Sequence, residues 1–311
     1  MKVGFPTSGC NPLLFWEYEM GYFISQLING ICQGSIYALM AIGYSVIAGV
    51  TGMVSFCYGD LMTMGAFAAF YMFSFAGNNI FLGIVSAFVS CWILGIVTYK
   101  LCYEKFLNAP RYITMICTFA FGIGMRNLAQ IVFGEAKKPI LDVVSNITLS
   151  IASDIHITLL QFSIMLTVVV LALMLSWFLK NTKVGLSLRA ISQDKTASFV
   201  CGINAKKYSL IGSCLGSSLG GVAGLLLAVY YQTVYITLGS TMSMKSFSAT
   251  VLGGLTDVPL SAFGGLCIGI IENLGISFTS ASFRDLFTFS FLMLVLIIRP
   301  QGFAAKKGVR P

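Results

Sequence analysis

The feature that most constrains this chain is a succession of long apolar runs with charge confined largely to the gaps between them. Runs over 21–50, 60–76, 80–99, 112–133, 157–179, 208–231, 258–276 and 283–298 are each near the length of a bilayer crossing, about 20 mostly apolar residues; a shorter piece covers 245–256. Hydrocarbon offers no water to backbone amides, so such runs are expected to close their own hydrogen bonds as helices. The expected fold is all-α: a polytopic membrane helical bundle of about 8–9 crossings with broken or re-entrant segments. Only 10% of the residues are charged and 57% are hydrophobic, against roughly 25% charged in a soluble domain. An ordinary soluble enzyme is excluded. The first run is about ten residues longer than a span needs and holds Gly43, Gly49 and Gly52. It is therefore expected to break within the membrane, where loose backbone must line a cavity.

The basic residues set the orientation. Lys100, Lys105 and Arg111 share one gap, Lys180 to Lys207 hold six more, and the tail holds Arg299, Lys306, Lys307 and Arg310, together thirteen of nineteen. The opposite gaps carry Glu17, Glu19, Glu135, Asp142 and Asp154, with Lys137 and Lys138 as a minority. Positive loops stay inside, so the N-terminus is expected outside and the C-terminus inside. That demands an odd number of crossings, and the eight full runs become nine if 245–256 is a short or re-entrant ninth. Residues 1–20 then form an extracytoplasmic tail, 21–299 the membrane domain with a large inner loop at 180–207, and 300–311 a cytoplasmic tail. The net charge of +8 reports topology, not nucleic-acid binding. The first fourteen residues hold one Lys and no apolar core, so no cleavable signal peptide is expected.

Gly212, Gly216, Gly220 and Gly224 recur every fourth residue, and Gly30/Gly34 and Gly265/Gly269 share the spacing. Small residues at this interval let helix backbones touch, within one bundle or between two copies; a substrate path along that face is the lesser reading. In the inner loop, residues 189–200 alternate Arg189, Asp194 and Lys195 with Ala190, Ile191, Ala197 and Phe199. This predicts one amphipathic helix, bounded by Gly202, whose apolar face needs a protein to cover it. Asp60, Lys245, Asp257 and Glu272 fall at membrane depth, where an ion costs about 2.5–3.5 kcal/mol at a helix centre unless it faces a cavity or a partner. For Lys245 and Asp257 an interfacial position fits at least as well as function; Asp60 and Glu272, more closely flanked by apolar residues, are the better site candidates. The nine cysteines form no CxxC pair and read as small core residues. No phosphate-binding loop, HExxH or GxSxG occurs, His156 is the lone histidine, and Asn146 fits a glycosylation triplet by pattern alone. Energised transport would need a borrowed ATPase.

Four blocks resemble one family in its own order. NGICQGSIYALMAIGYSVIAGVTGMVSFCYGDLMTMGAF (Asn29–Phe67), VGLSLRAISQDKTASFVCGIN (Val184–Asn204), MKSFSATVLGGLTDVPLSAFGGLCIGIIENL (Met244–Leu274) and LVLIIRPQGF (Leu294–Phe303) are similar to the permeases of branched-chain amino acid ABC importers. The resemblance implies an ABC importer transmembrane domain over 21–299 in a bacterial or archaeal inner membrane. It implies a second homologous permease, two cytoplasmic ATPases that bind the ATP and magnesium, and an extracytoplasmic substrate-binding protein; no cofactor is expected in this chain. It places Arg189, Ala190, Asp194, Ala197, Gly202 and Ile203 on the ATPase-coupling loop. It places Asn29, Gly34, Tyr37, Gly59, Asp60, Gly65, Gly253, Gly254 and Glu272 along the translocation pathway. Where the family carries NFAHGE this chain has SFCYGD (Ser55 to Asp60), and a GGLTDVPLSA stretch (Gly253 to Ala262) lacks family glycines. The expected cargo is leucine, isoleucine, valine or a close hydrophobic amino acid; urea or a short amide is the alternative. An ion-coupled secondary transporter or channel would leave the amphipathic loop without a task, and a membrane enzyme would need a reactive constellation that the sequence does not offer.

Overall fold

The computed structural model describes residues 12–77, 79–106, 110–140, 148–152 and 155–299. Most of both tails, Asn146, Asp142 and Asp154 lie outside the described residues. Helices dominate: α1 Pro12–Thr51, α2 Tyr58–Ala76, α3 Ile80–Thr98, α4 Arg111–Phe133, α5 Leu159–Asn181, α6 Lys183–Gln193, α7 Lys195–Val200, α8 Ala205–Tyr230, α9 Leu238–Gly253, α10 Val258–Phe278 and α11 Arg284–Ile298. Four short strands, β1 Lys138–Pro139, β2 Thr148–Ala152, β3 Ile155–Thr158 and β4 Thr233–Val234, form two antiparallel ladders, β1 with β4 and β2 with β3. The chain is an all-α polytopic bundle, as its runs predict. Six helical stretches among the described residues are long and apolar enough to cross a membrane: 23–51, 80–106, 112–133, 159–181, 205–230 and 258–277. At 16 and 15 residues, α9 and α11 reach only about 22–24 Å, short of the roughly 30 Å hydrocarbon core.

Two helices form the axis. The most apolar stretch of α1 is 94% buried and that of α8 is 83% buried, against 22% for α3, α4 and α5. The outer three instead present Val89 and Ile93, Phe119 and Leu128, and Leu166 and Leu173 to their surroundings, which hydrocarbon tolerates and water does not. Glycine makes the axis possible. The α8 stripe packs inside this one chain, Gly212 and Gly216 against Val50 and Gly43 of α1, Gly220 and Gly224 against Tyr58 and Met62 of α2. Gly30 and Gly34 interlock with Gly269 as α1 crosses α10, and Gly265 meets Ala38 further along, so the two helices run antiparallel.

The expected break inside the first run does not occur. α1 continues unbroken to Thr51 because Gly43 is used for contact with Gly216 rather than for bending. The chain leaves the helix one residue later, at Gly52 with φ +70°. Residues 52–57 then turn back into the bundle without helix, held where the Ser55 amide donates to Tyr44 Oη at 3.1 Å and the Phe56 amide to Thr118 Oγ1 at 3.4 Å. Ser55 and Cys57 are buried; irregular backbone is tolerated at depth only when protein satisfies it in this way.

The single helix expected over 189–200 is two. The Asp194 carboxylate accepts from the Thr196 and Ala197 amides at 2.7 and 3.1 Å, capping α7 and ending α6. Thr182 caps α6 and Asn204 caps α8 through the Gly185 and Lys207 amides.

Candidate functional site

Charge at depth is concentrated in one knot. Glu272 of α10 is fully buried, accepts hydrogen bonds from four side chains and forms an ion pair with a fifth, Arg284. Its Oε1 accepts from Gln33 Nε2 at 3.3 Å and Tyr37 Oη at 3.2 Å, and Arg284 Nε lies 3.1 Å away in an ion pair. Its Oε2 receives Thr288 Oγ1 at 3.1 Å, and Lys245 Nζ lies 3.0 Å from both oxygens. Lys245, 2% exposed, also reaches Asp285 at 3.0 Å, and Arg284 donates to Tyr231 Oη at 2.8 Å. Asn273 Nδ2 donates to Gln33 Oε1 at 2.9 Å. Two cations thus face two carboxylates, and the knot is neutral. It ties α1, α9, α10 and α11 together, and its half-open edge is Arg284 and Asp285, 31% and 57% exposed.

A second pair stands apart. Asp60 Oδ1 accepts from Arg126 Nε of α4 at 2.9 Å, with the acid 5% and the base 33% exposed. Its neighbour Gly59 lies against Gly239 at the start of α9, whose amide donates to Thr63 Oγ1 at 3.0 Å.

At the end of the bundle that carries α6 and α7 a cleft of about 850 Å³ opens. Its floor is Ser45, Val46 and Gly49 of α1, and one wall is Ser176, Leu179 and Lys180 of α5. The other wall is Gly254, Asp257 and Val258, and α6 closes it with Leu188 and Arg189. Gly254 has φ +96° and ends α9 in a left-handed cap, which a side chain would strain. Of α6, Gly185, Leu188 and Ile191 are buried in the bundle. Hence Ile191 belongs to the core, and the uncovered large apolar residues of the loop are Leu186, Phe199 and Val200, the last two 75% and 82% exposed. Lys195 Nζ donates to the Thr51 carbonyl and so fastens α7 to the end of α1, where the helix dipole favours a cation.

Comparison with known proteins decides the family. Residues 26–298 match the family described as branched-chain amino acid transport system, permease component. The chain belongs to that family. The permease is 28% identical over 299 residues to LivH, a high-affinity branched-chain amino acid transport system permease protein of Escherichia coli, covering 93% of this chain and 97% of LivH. It is 27% identical over 302 residues to BraD of Pseudomonas aeruginosa, which carries the same description, covering 94% and 98%. The fructose import permease protein FruF of Bifidobacterium longum is 23% identical over 266 residues, covering 83% of this chain and 72% of FruF. No solved structure matches the chain.

In the permease, the nine residues that the resemblance places on a pathway do not meet at one point. Tyr37 and Glu272 share the knot; Gly34 lies at the α1–α10 crossing; Gly59, Asp60 and Gly65 line up on α2 against α9, α4 and α8. Asn29 Oδ1 accepts from Gln161 Nε2 of α5 at 2.7 Å, Gly253 abuts Ser261, and Gly254 borders the cleft. Of the loop residues, Arg189 and Ala190 also border the cleft, Asp194 is the cap, Ala197 and Gly202 are exposed, and Ile203 is half-buried. Arg126, Arg284 and Asp285 were not among the residues that the sequence singled out. For the ions a signal existed: Arg126 is alone of its sign in the run 112–133, and Asp60 alone in 60–76, so each needed an opposite charge from another helix. Lys245, for which an interfacial place was weighed above, is buried against Glu272.

Proposed function

We propose that the chain is the transmembrane permease subunit of an ABC importer for leucine, isoleucine, valine or a close hydrophobic amino acid. It works by alternating access driven by two partner ATPases, which supply the ATP and magnesium sites. A second homologous permease and an extracytoplasmic binding protein complete the assembly in the inner membrane of a bacterium or archaeon, with the N-terminus outside. The observation that carries the reading is the joint position of the cleft and the loop. The basic α6–α7 loop lends a wall to the cleft while Phe199 and Val200 at its tip remain uncovered. A force applied to α7 reaches α6 through the Asp194 cap and α1 through the Lys195–Thr51 contact, so ATPase closure has a mechanical route to the cleft. The roles assigned above to Arg189, Ala190, Asp194, Ala197, Gly202 and Ile203 fit that route.

Liposomes holding both permeases and both ATPases should take up labelled leucine only when ATP and the binding protein are present. Ala197→Glu or Phe199→Glu should lower ATPase co-purification and uptake together, because each forces a charge into the contact. Uptake by this chain alone on an ion gradient overturns the ABC mechanism. ATP-driven uptake of urea without leucine changes the cargo and keeps the mechanism.

A further inference from the structure

At the end of the bundle opposite α6 and α7, Lys137 and Lys138 have no ion-pair partner among the described residues. Glu135, close by in the chain, is turned to Gln130 Nε2 at 2.6 Å. Both lysines are nonetheless held in place. Lys138 Nζ donates to Tyr71 Oη at 2.7 Å and lies over the rings of Tyr71 and Phe70, 4.8 and 5.6 Å from their centroids. Lys137 Nζ lies 5.4 Å from the centroid of the Tyr235 ring. The backbone beneath them is strand: Lys138 pairs with Val234 and Pro139 with Thr233, and the Ile140 amide donates to the Gln232 carbonyl at 3.0 Å. An ammonium group carries three donors, and Tyr71 takes one of those on Lys138. We propose that Lys137 and Lys138 bind the headgroup phosphate of an anionic phospholipid, whose acyl chain lies along the outer face of α2 and α4. The site goes beyond the importer reading and does not depend on the cargo.

Depth selects a lipid over a protein partner. Side chains of a helix lean toward its N-terminus, so the Tyr71 ring, with Lys138 over it, lies about 6 Å or more inward of Phe75, which is four residues further along α2. Phe75 is 95% exposed, which hydrocarbon tolerates and water does not. The cations therefore stand at headgroup level, among the Phe and Tyr rings that mark a membrane interface. A lipid phosphate reaches that level; a folded protein resting on the bilayer does not. Below the cations the surface is apolar. Phe133 of α4 stacks on Phe67 at 4.7 Å and meets Tyr71 at 5.3 Å, and the exposed Ile131 and Val132 precede it on the same helix. Charge decides the headgroup. A zwitterionic lipid brings an ammonium or choline group of its own toward two cations, whereas phosphatidylglycerol brings only the phosphate. Once occupied, the site fastens the loop after α4 to α2, and through the β1–β4 ladder to the turn that leads into α9.

The test uses the purified permease complex in nanodiscs of dioleoylphosphatidylcholine, with Phe75→Trp as a reporter. A minor share of the lipid is replaced by phosphatidylcholine or by phosphatidylglycerol with brominated acyl chains, which quench a neighbouring indole. Subtracting the signal of the complex without Phe75→Trp leaves the quenching at this one position. Brominated phosphatidylglycerol should bind beside the reporter about 5-fold more tightly than brominated phosphatidylcholine, the contribution of roughly one lysine at a membrane surface. Lys137→Gln with Lys138→Gln should bring that ratio to about 1, and Lys137→Arg with Lys138→Arg should keep it. Equal quenching by the two lipids in the reporter complex overturns the site. So does a preference for phosphatidylglycerol that survives the glutamine pair, because the lysines are then not its cause. A preference that the arginine pair also loses means that the fold of the loop, and not its charge, sets the effect, and overturns the site as well. If an extracytoplasmic binding protein displaces the brominated phosphatidylglycerol and needs the two lysines for its own attachment in phosphatidylcholine, the surface is a protein dock and the lipid site is wrong.

Discussion

The Glu272 knot and the cleft under α6 both contain ionisable groups inside a charge-poor bundle, and they treat them in opposite ways. In the knot every charge has its counter-charge: Lys245 with Glu272 and Asp285, and Arg284 with Glu272, within 3.0–3.1 Å. In the cleft the walls stay apart, and Ser45 is left unpaired. A neutral, satisfied network fixes four helices in one arrangement; an unsatisfied gap permits more than one. Ions in a membrane domain are therefore not one class: some tie helices together, and others line an open cleft.

The comparison breaks most readily at Lys245. Replacing it with Met leaves a buried carboxylate short of one cation, which should destabilise the protein by about 3–5 kcal/mol. Detergent melting should show a large drop, and the double change Lys245→Met with Glu272→Met should recover most of it, since one charge of each sign is removed and the remaining Arg284 and Asp285 are 31% and 57% exposed to solvent. A single variant as stable as the parent removes the structural reading of the knot. Asp60→Asn is expected to matter less, on the order of 1–2 kcal/mol, because Arg126 is a third exposed and solvent screens what it loses. The same melting series ranks the two. Ser45→Ala should be the smallest, within about 0.5 kcal/mol of the parent or slightly stabilising, because it deletes a hydroxyl that has no partner. A loss comparable with that of Lys245→Met means that Ser45 is a structural hydrogen bond after all, and the contrast between knot and cleft collapses.

Much of the architecture is legible along the chain because the bilayer imposes it locally. Runs such as 80–99 and 157–179 become α3 and α5 with little adjustment, since a backbone in hydrocarbon must close its own hydrogen bonds. The caps of the loop were equally open to reading: Thr182, Asp194 and Asn204 are strong N-cap residues, and giving Asp194 that weight would have split 189–200 into α6 and α7. Glycine was ambiguous. Gly43 and Gly52 look alike in sequence, yet one lets α8 touch an unbroken helix and the other turns the chain at φ +70°.

By itself the sequence determined the membrane class, the helical fold, the family blocks and the basic loop, all of which follow from local composition and short-range pattern. Only the tertiary structure decided who pairs with whom. Lys245 meets Glu272 across 27 positions and Asp60 meets Arg126 across 66, and the hydroxyl of Ser45 is buried without a partner while that of Thr51 bonds back to its own helix. Such pairings depend on helix rotation and crossing, which close packing of the whole bundle sets and no single run contains.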